Sequence, residues 1–582
     1  MIRVVAHHIL SPLGDSTAAN LQAVRNGATA IRQWNGRWQL PQPFMASLFS
    51  ELQMAQWPCG ESHTPFEAMA IASVSKAIAM WRQQAGPAMP RLDDGRTVLV
   101  LSTTKGNIGL LDQLTDERQT TDPQLLQRLS LGHSAEVIAK AVGIPTMPIV
   151  VDNACISGAS AIVFATRLLR MGRYDHAVVC GAERQSRFIV SGFQSLKALS
   201  SQVCRPFDID RTGLNLGEAA ATVILSRTAP EPGWHVVAGA VRNDAHHISA
   251  PSMSAEGAWR ALESVKSTAG VDSEQLAFLS THGTATMFND QMEAVAIDRA
   301  GLGQVPVNAV KANFGHTMGA CGVLETVLSM AAIDAGIILP TKNFAELGVS
   351  RRINVTTKEM PTCKFSFIKM LSGFGGVNVA LFMSKQAEVN EKNEALRHQP
   401  VIRHSVHLSE KDVTVDGVKL AVTSMGKALV TELYKKTGGD YPRFYKMDLL
   451  CRIGLVATQL LLKAEEITTS DAAEHRAVVI VGRSGSIHAD LNYLTSIMHA
   501  DDFFPSPERF VYTLPNIVTG EIAMRYHYHG ETSFYLLPTR DTSIVSDIVQ
   551  SAFLDPDTTS VIGGWIDCET DNRFEAELSI LE

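Results

Sequence analysis

One thiol and two imidazoles, carried by NACISGASA (153–161), HGTAT (282–286) and KANFGH (311–316), are the side chains of this 582-residue chain best suited by type and setting to nucleophilic chemistry. Cys155 stands among small residues directly before a run that reads as a helix, GASAIVFATRLLRMG (158–172). There the helix dipole and the free amides of the first turn favour a thiolate, which makes Cys155 a candidate nucleophile. The plainer alternative is an ordinary buried thiol. His282 and His316 each follow a different strand-like stretch, 275–281 and 305–310, and each touches glycine. Each is therefore expected on a loop after a strand, where glycine lets the backbone come close to a ligand. A lone histidine is more often structural, so the reading rests on all three groups together.

Positioning them requires a layered scaffold. Short β-branched runs such as TVLVLSTT (97–104), PIVVDNAC (148–155) and HAVVCGAE (176–183) alternate with amphipathic or small-residue helices. That is the pattern of parallel sheets sandwiched by helices. The helix after Cys155 opens with Gly158, Ala159, Ser160 and Ala161, slender enough to lie buried between layers. Residues 386–400, QAEVNEKNEALRHQP, hold no aromatic residue and five charges and end in proline, so they read as a linker.

Composition narrows the class. The chain is 45% hydrophobic and 19% charged, with no uninterrupted apolar run that spans a bilayer. Its opening, MIRVVAHHILSPLGD, lacks the basic start and apolar core of a secretory signal, so a cytoplasmic location is expected. Eight cysteines without a CxxC pair argue against a zinc site or a disulfide framework. A net charge of -8 argues against nucleic acid as a partner. Arg167, Arg170 and Arg173 recur every third residue along or just beyond the helix after Cys155 and read as solvated charges.

In order and spacing, Cys155, His282 and His316 are similar to the Cys, His, His triad of the β-ketoacyl synthases of fatty acid and polyketide synthesis, members of the thiolase-like superfamily. The resemblance extends through CRPFDIDRTGLNLGEAA (204–220), DAHHISAP (244–251), THGTATMFND (281–290), KANFGHTMGACGVLE (311–325) and SGFGGVN (372–378). It covers residues 1–385 and implies an α/β fold, a thiolase-like five-layer αβαβα body of two similar halves, 1–235 and 236–385. The activity it implies is decarboxylative condensation: Cys155 takes an acyl group from an acyl carrier protein, and a malonyl carrier then loses carbon dioxide and attacks it. His282 and His316 would stabilise the developing charge, and Lys311 and Glu325 would form an ion pair that organises the site. The backbone amides of Cys155 and Phe374 would form an oxyanion hole. Thr284 and Thr286 would hydrogen-bond the phosphopantetheine arm, Phe374 would gate the pocket, and Ile156, Phe193 and Ser249 would contact substrate. No metal or other cofactor is implied. HGTAT in place of HGTGT, and NACISG in place of the commoner TACSSS form, leave every reacting atom present but put acyl-chain preference in question.

Residues 401–582 look like a repeat of the first half. MDLLCRIGLVATQLLLK (447–463) matches 66–82, AVVIVGRSGSI (477–487) matches 98–108, and SVIGGWIDCE (560–569) matches 177–185. Where the first unit has DNACISG (152–158), the repeat has TLPNIVTG (513–520), which sets Asn516 near the expected nucleophile position. An amide forms no thioester, and no second HGT segment follows. This second, half-thiolase-like α/β domain resembles the chain-length factors, inactive ketosynthase-like subunits, and especially truncated relatives in aryl polyene or flexirubin-type pathways. The resemblance implies docking through the face by which ketosynthases dimerise, giving an intramolecular pseudo-heterodimer; otherwise the first unit forms a homodimer. Two other classes stay open: a non-catalytic scaffold or length-determining partner, and an acyl-CoA thiolase or acyltransferase, which commonly uses a second cysteine as base.

Overall fold

The computed structural model describes Met1–Glu582 apart from residues 58–62, 87–88, 115–116, 230–231, 387–399, 466–469 and 499–502. Nearly all of the expected linker, 386–400, lies outside the described residues. Strands β1 (Arg3–Leu10), β2 (Thr97–Ser102), β3 (Ile149–Val151), β4 (His176–Glu183) and β5 (Ala219–Ser226) form one sheet in the order β1-β5-β4-β2-β3. Every residue of β2, β3 and β4 is buried, and these three run parallel. Both faces are covered, which is why they read as largely apolar runs rather than alternating ones. A second sheet contains β6 (His235–Asn243), β7 (Phe278–Ser280), β8 (Pro306–Asn308), β9 (Ser366–Gly373) and β10 (Val377–Ser384), ordered β6-β10-β9-β7-β8.

Helices α1 (Pro65–Ala85) and α2 (Leu131–Ala141) cover the outer face of the first sheet, and α3 (Ser157–Arg170) lies between the sheets. Helices α4 (Glu256–Ala269) and α5 (Met287–Arg299) cover the second sheet, and α6 (Cys321–Asp334) joins α3 in the central layer. This is the αβαβα layering. A Cβ on Gly158 would lie 2.9 Å from the Gly322 Cα, and one on Gly322 would lie 2.1 Å from the Ala159 nitrogen. Glycine at both positions lets α3 and α6 meet backbone to backbone. That contact draws together the turn before α3 and the loop before α6.

The C-terminal unit holds β11 (Ile402–Ser409), α7 (Leu449–Glu465), β12 (Arg476–Gly482), α8 (Ile517–Tyr526), β13 (Thr532–Leu536), α9 (Thr542–Ser551), β14 (Ser560–Thr570) and β15 (Arg573–Leu581). Its sheet runs β11-β15-β14-β12-β13, the order of the first sheet again. β13 pairs antiparallel with β3, Tyr535 opposite Val151 and Leu536 opposite Val150, so the two sheets continue into one another.

That register corrects the position expected for Asn516. It equates Val150 with Tyr535, and Ser157 at the start of α3 with Thr542 at the start of α9. Arg540 therefore stands where Cys155 stands, whereas Asn516 precedes α8, the counterpart of α2. A proline-containing turn leads into a helix at both places, and only strand order separates them. Arg540 pairs with Glu575 at 3.3 Å and with Glu577, and offers no nucleophile.

The arginines of α3 need a second correction. Arg167 is 4% exposed, its guanidinium 2.5 Å from Glu531 and 3.5 Å from Asp555 of the C-terminal unit. Arg242 binds Asp555 at 2.6 Å, and Arg173, just past α3, binds Asp547 at 2.7 Å. Of the face read as solvated, Arg167 and Arg173 meet the C-terminal unit, whereas Arg170 is exposed, as expected, and donates to the Val237 carbonyl at 3.0 Å. Arg167→Ala leaves the buried Glu531 carboxylate without its cation and is expected to lower stability by about 3–5 kcal/mol in denaturant titration. Arg167→Met combined with Glu531→Gln, which removes both charges, should recover most of that loss. No described helix is long and apolar enough to cross a membrane.

Candidate functional site

Cys155 lies in a 3-10 turn, Ala154–Ile156, between β3 and α3. Ala154 has φ 49°, a left-handed conformation that costs a non-glycine residue about 1–2 kcal/mol. Ser157 braces the turn, its hydroxyl accepting from the Asn153 amide at 2.8 Å and donating to the Ala154 carbonyl at 2.6 Å. His282 follows β7, and its loop is pinned by Glu293 of α5, which accepts the His282 amide and, at 2.8 Å, the Gly283 amide. His316 precedes α6 in the loop that the Gly158 and Gly322 contact brings alongside Cys155.

The three groups converge. His316 Nε2 is 3.0 Å from Cys155 Sγ, the two imidazoles meet edge to face with centroids 5.1 Å apart, and one ligand atom from each residue falls within 4.8 Å of the others. The Met318 amide donates to His316 Nδ1 at 3.3 Å, so Nε2 carries the ring proton and aims it at the sulfur. Such a trio has donors that suit a soft divalent ion. Histidines that ligate metals anchor their second nitrogen, whereas His282 Nδ1 is buried without a hydrogen-bond partner among the described residues.

Burial, reinforced by Lys311 and Lys369, holds both imidazoles well below the usual histidine range, so they are neutral near neutral pH. Burial also pushes the Cys155 thiol up to about 12, with Lys311 pulling the other way. This runs against the expectation of a resting thiolate: although Cys155 is only partly buried and faces the cavity, desolvation is the largest influence on its sulfur and favours the thiol.

Behind the histidines lies a buried charge cluster. Lys311 Nζ is 2.7 Å and Lys369 Nζ 2.5 Å from Glu325. Burial opposes ionisation of Glu325, but the two ammonium groups prevail and hold its carboxylate below the ordinary range. Lys369 also donates to the carbonyls of Ser280 at 3.1 Å and Thr281 at 2.9 Å, directly before His282. The sequence reading missed Lys369; its one signal was a lysine inside the apolar stretch FIKML of the strand SFIKMLSG. It also missed Glu183 at the end of β4. That carboxylate accepts the amides of Thr104 at 2.9 Å and Gly319 at 3.1 Å, and burial raises it to about 7. Lys369→Met removes one cation of the cluster and three hydrogen bonds, and is expected to cost about 3 kcal/mol of stability by urea denaturation.

Cys155, His282 and His316 open onto a cavity of about 480 Å³, whose wall also includes Thr284, Thr286, Phe193, Ser249 and Phe374. Phe374 stacks on Phe193 with ring centroids 6.4 Å apart. A Cβ on Gly373 would lie 3.3 Å from the Cys155 nitrogen, so the GFGG turn passes beside the nucleophile's own amide. Ile156 is not on this wall; its side chain is fully buried in the core between the layers. Lys311 and Glu325 lie behind the wall rather than on it.

The family described as beta-ketoacyl synthase, N-terminal domain, matches residues 58–230, and its C-terminal domain counterpart matches 235–345. A 3-oxoacyl-[acyl-carrier-protein] synthase 2 of Rhizobium meliloti is 30% identical over 342 residues, covering 55% of this chain and 80% of that protein. The tetracenomycin polyketide synthase ketoacyl synthase alpha subunit of Streptomyces glaucescens is 32% identical over 258 residues, 41% of this chain and 60% of that one. A ketosynthase solved in complex with its chain length factor from Xenorhabdus doucetiae aligns with 66% of this chain and 98% of its own at TM-score 0.57 and 25% identity. The PfaC keto synthase-chain length factor structure aligns with 100% of this chain and 78% of its own at TM-score 0.78; at 15% identity this is a likeness of fold.

Proposed function

Because the chain belongs to the β-ketoacyl synthase family, with a condensing acyltransferase unit fused to a second, ketosynthase-like half, we propose that it joins an acyl group on Cys155 to a malonyl unit delivered by an acyl carrier protein. Cys155 Sγ attacks the carrier thioester; the thiol proton goes to the departing carrier sulfur, leaving an acyl-Cys155 thioester and a free carrier thiol. His316 Nε2–H, 3.0 Å from the sulfur, stabilises charge as it develops there. The Cys155 and Phe374 amides receive the tetrahedral oxyanion.

A malonyl carrier then enters and loses carbon dioxide. The enolate oxygen accepts hydrogen bonds from the neutral imidazoles of His282 and His316, and its carbon attacks the acyl carbonyl. The Cys155 thiolate leaves and regains a proton from solvent, while the β-ketoacyl product departs on the carrier. Thr284 and Thr286, their hydroxyls 2.9 Å apart, face the phosphopantetheine arm. Lys311 and Glu325 organise the site from behind, and the scheme uses no metal or redox cofactor.

The observation that carries this reading is the convergence of one thiol and two neutral imidazoles on the wall of a single cavity. The thiolase alternative would need a second cysteine as base. Cys321 instead donates to the Cys155 carbonyl at 3.3 Å and is not on the cavity wall. The β3 and β13 pairing favours the intramolecular pseudo-heterodimer over a homodimer, because the edge of β3 is already taken. The test is donor choice: with an acylated enzyme, malonyl carrier should give β-ketoacyl product and acetyl-CoA should not. Equal use of acetyl-CoA would reject condensation in favour of thiolase chemistry.

A further inference from the structure

The turn that carries Phe374 is gripped by the C-terminal unit. Asn516, fully buried at the start of α8, donates from Nδ2 to the Phe374 carbonyl oxygen at 2.8 Å. A carbonyl only accepts, so this contact decides which end of the amide faces it. Gly375 has φ 91°, and a Cβ there would lie 2.7 Å from Asn516 Nδ2. A Cβ on Gly520, one turn further along α8, would lie 2.6 Å from the Gly375 carbonyl oxygen. Turn and helix start thus meet with no room for a side chain on either. The Gly375 carbonyl also accepts from Asn243 Nδ2 at 2.8 Å, and the same nitrogen donates to Thr532 Oγ1 of β13 at 2.8 Å.

A matching grip lies on the other side of the sulfur. Asn153 Oδ1 accepts from the Phe534 amide at 2.7 Å, and the Asp152 amide donates to the Phe534 carbonyl at 3.2 Å. Both backbone segments that supply the proposed oxyanion amides therefore hydrogen-bond, directly or through a neighbouring residue, to residues of the C-terminal unit.

We propose that Asn516 is a positioning residue for acyl transfer, latching the Phe374 turn so that the Phe374 amide is presented to the thioester oxygen beside Cys155. This rests on the oxyanion role given above to Phe374. Holding the carbonyl fixes the peptide plane between Phe374 and Gly375 and so restrains Phe374 ψ; the Phe374 amide lies in the preceding plane, joined to this one at the Phe374 Cα, and is steadied through it. Without Asn516 the carbonyl is left buried and short of a partner, and a turn with two positive-φ glycines, Gly375 and Gly376, is free to rotate it. The C-terminal unit thereby takes part in the reaction without a nucleophile of its own.

The test uses the full chain with Asn516→Ala and the similarly branched Asn516→Leu. Acyl transfer from an acyl carrier to Cys155 should slow about 10- to 100-fold, while alkylation of Cys155 by iodoacetamide, which develops no oxyanion, should stay within about twofold. Deuterium exchange in the 372–378 segment should quicken. Acyl transfer at the wild-type rate in both variants overturns the latch, as does a loss shared equally by alkylation and thermal stability. Failure of the underlying reading looks different: the wild-type chain itself would take no acyl group onto Cys155.

Discussion

Cys155→Ala is expected to abolish carbon-carbon bond formation while leaving the release of carbon dioxide from malonyl carrier. Removing a nucleophile of this kind costs roughly five to six orders of magnitude in turnover. Decarboxylation asks only for hydrogen-bond donors to the enolate oxygen, and His282 and His316 keep theirs. Intact-protein mass after incubation with acyl carrier, paired with a carbon dioxide assay, separates the two steps. An acyl adduct persisting in the variant, for instance on Cys321, would sink the assignment of the nucleophile. In the wild type, a thiol raised to about 12 exposes more thiolate with every step in pH. Alkylation of Cys155 should then climb about tenfold per pH unit through pH 9 with no plateau. A plateau below pH 8 would restore the thiolate that the helix start alone suggests.

His282→Ala and His316→Ala should each slow malonyl decarboxylation by about 10²–10³, the cost of one lost donor at a developing oxyanion, about 3–4 kcal/mol. The two differ in the first half-reaction. His316 touches the sulfur at 3.0 Å, so its loss should also slow acyl loading, whereas His282→Ala should load at closer to the wild-type rate. The direction of the pH dependence follows from the depressed histidine values. Both rings are neutral above the ordinary histidine range and remain so below it, so decarboxylation should be flat over roughly pH 6 to 8. It should fall only on the more acid side, where protonating His316 Nδ1 breaks its bond from the Met318 amide. A midpoint near 6.5 would show that the rings are not buried as described.

How much was legible in the sequence varied with the range of the interaction. The strands that deliver the site, β2, β3 and β4, announced themselves as short, largely apolar β-branched runs because both their faces are covered. The small residues at the start of α3 foretold its burial, and Gly158 is where α6 comes closest. Arg167 misled, because a charge every third residue on a helix looks the same whether it meets water or the carboxylates of a remote segment. Asn516 misled for a related reason, since a proline-containing turn precedes both α8 and α9 and the chain alone does not say which follows the strand equivalent to β3. Ile156, beside the nucleophile in sequence, turned out to belong to the core.

What the sequence by itself determined was the inventory: which atoms could react, the turns that present them, and an α/β frame with a repeated first half that lacks a second nucleophile. Only the tertiary structure decided that burial pushes the Cys155 thiol up, that two lysines share Glu325, and that the C-terminal unit holds the turns on both sides of Cys155. Protonation and hydrogen bonding depend on desolvation and on partners a few ångströms away in space. Phe534 against Asn153 and Asn516 against Phe374 are remote along the chain, and no local pattern records such contacts.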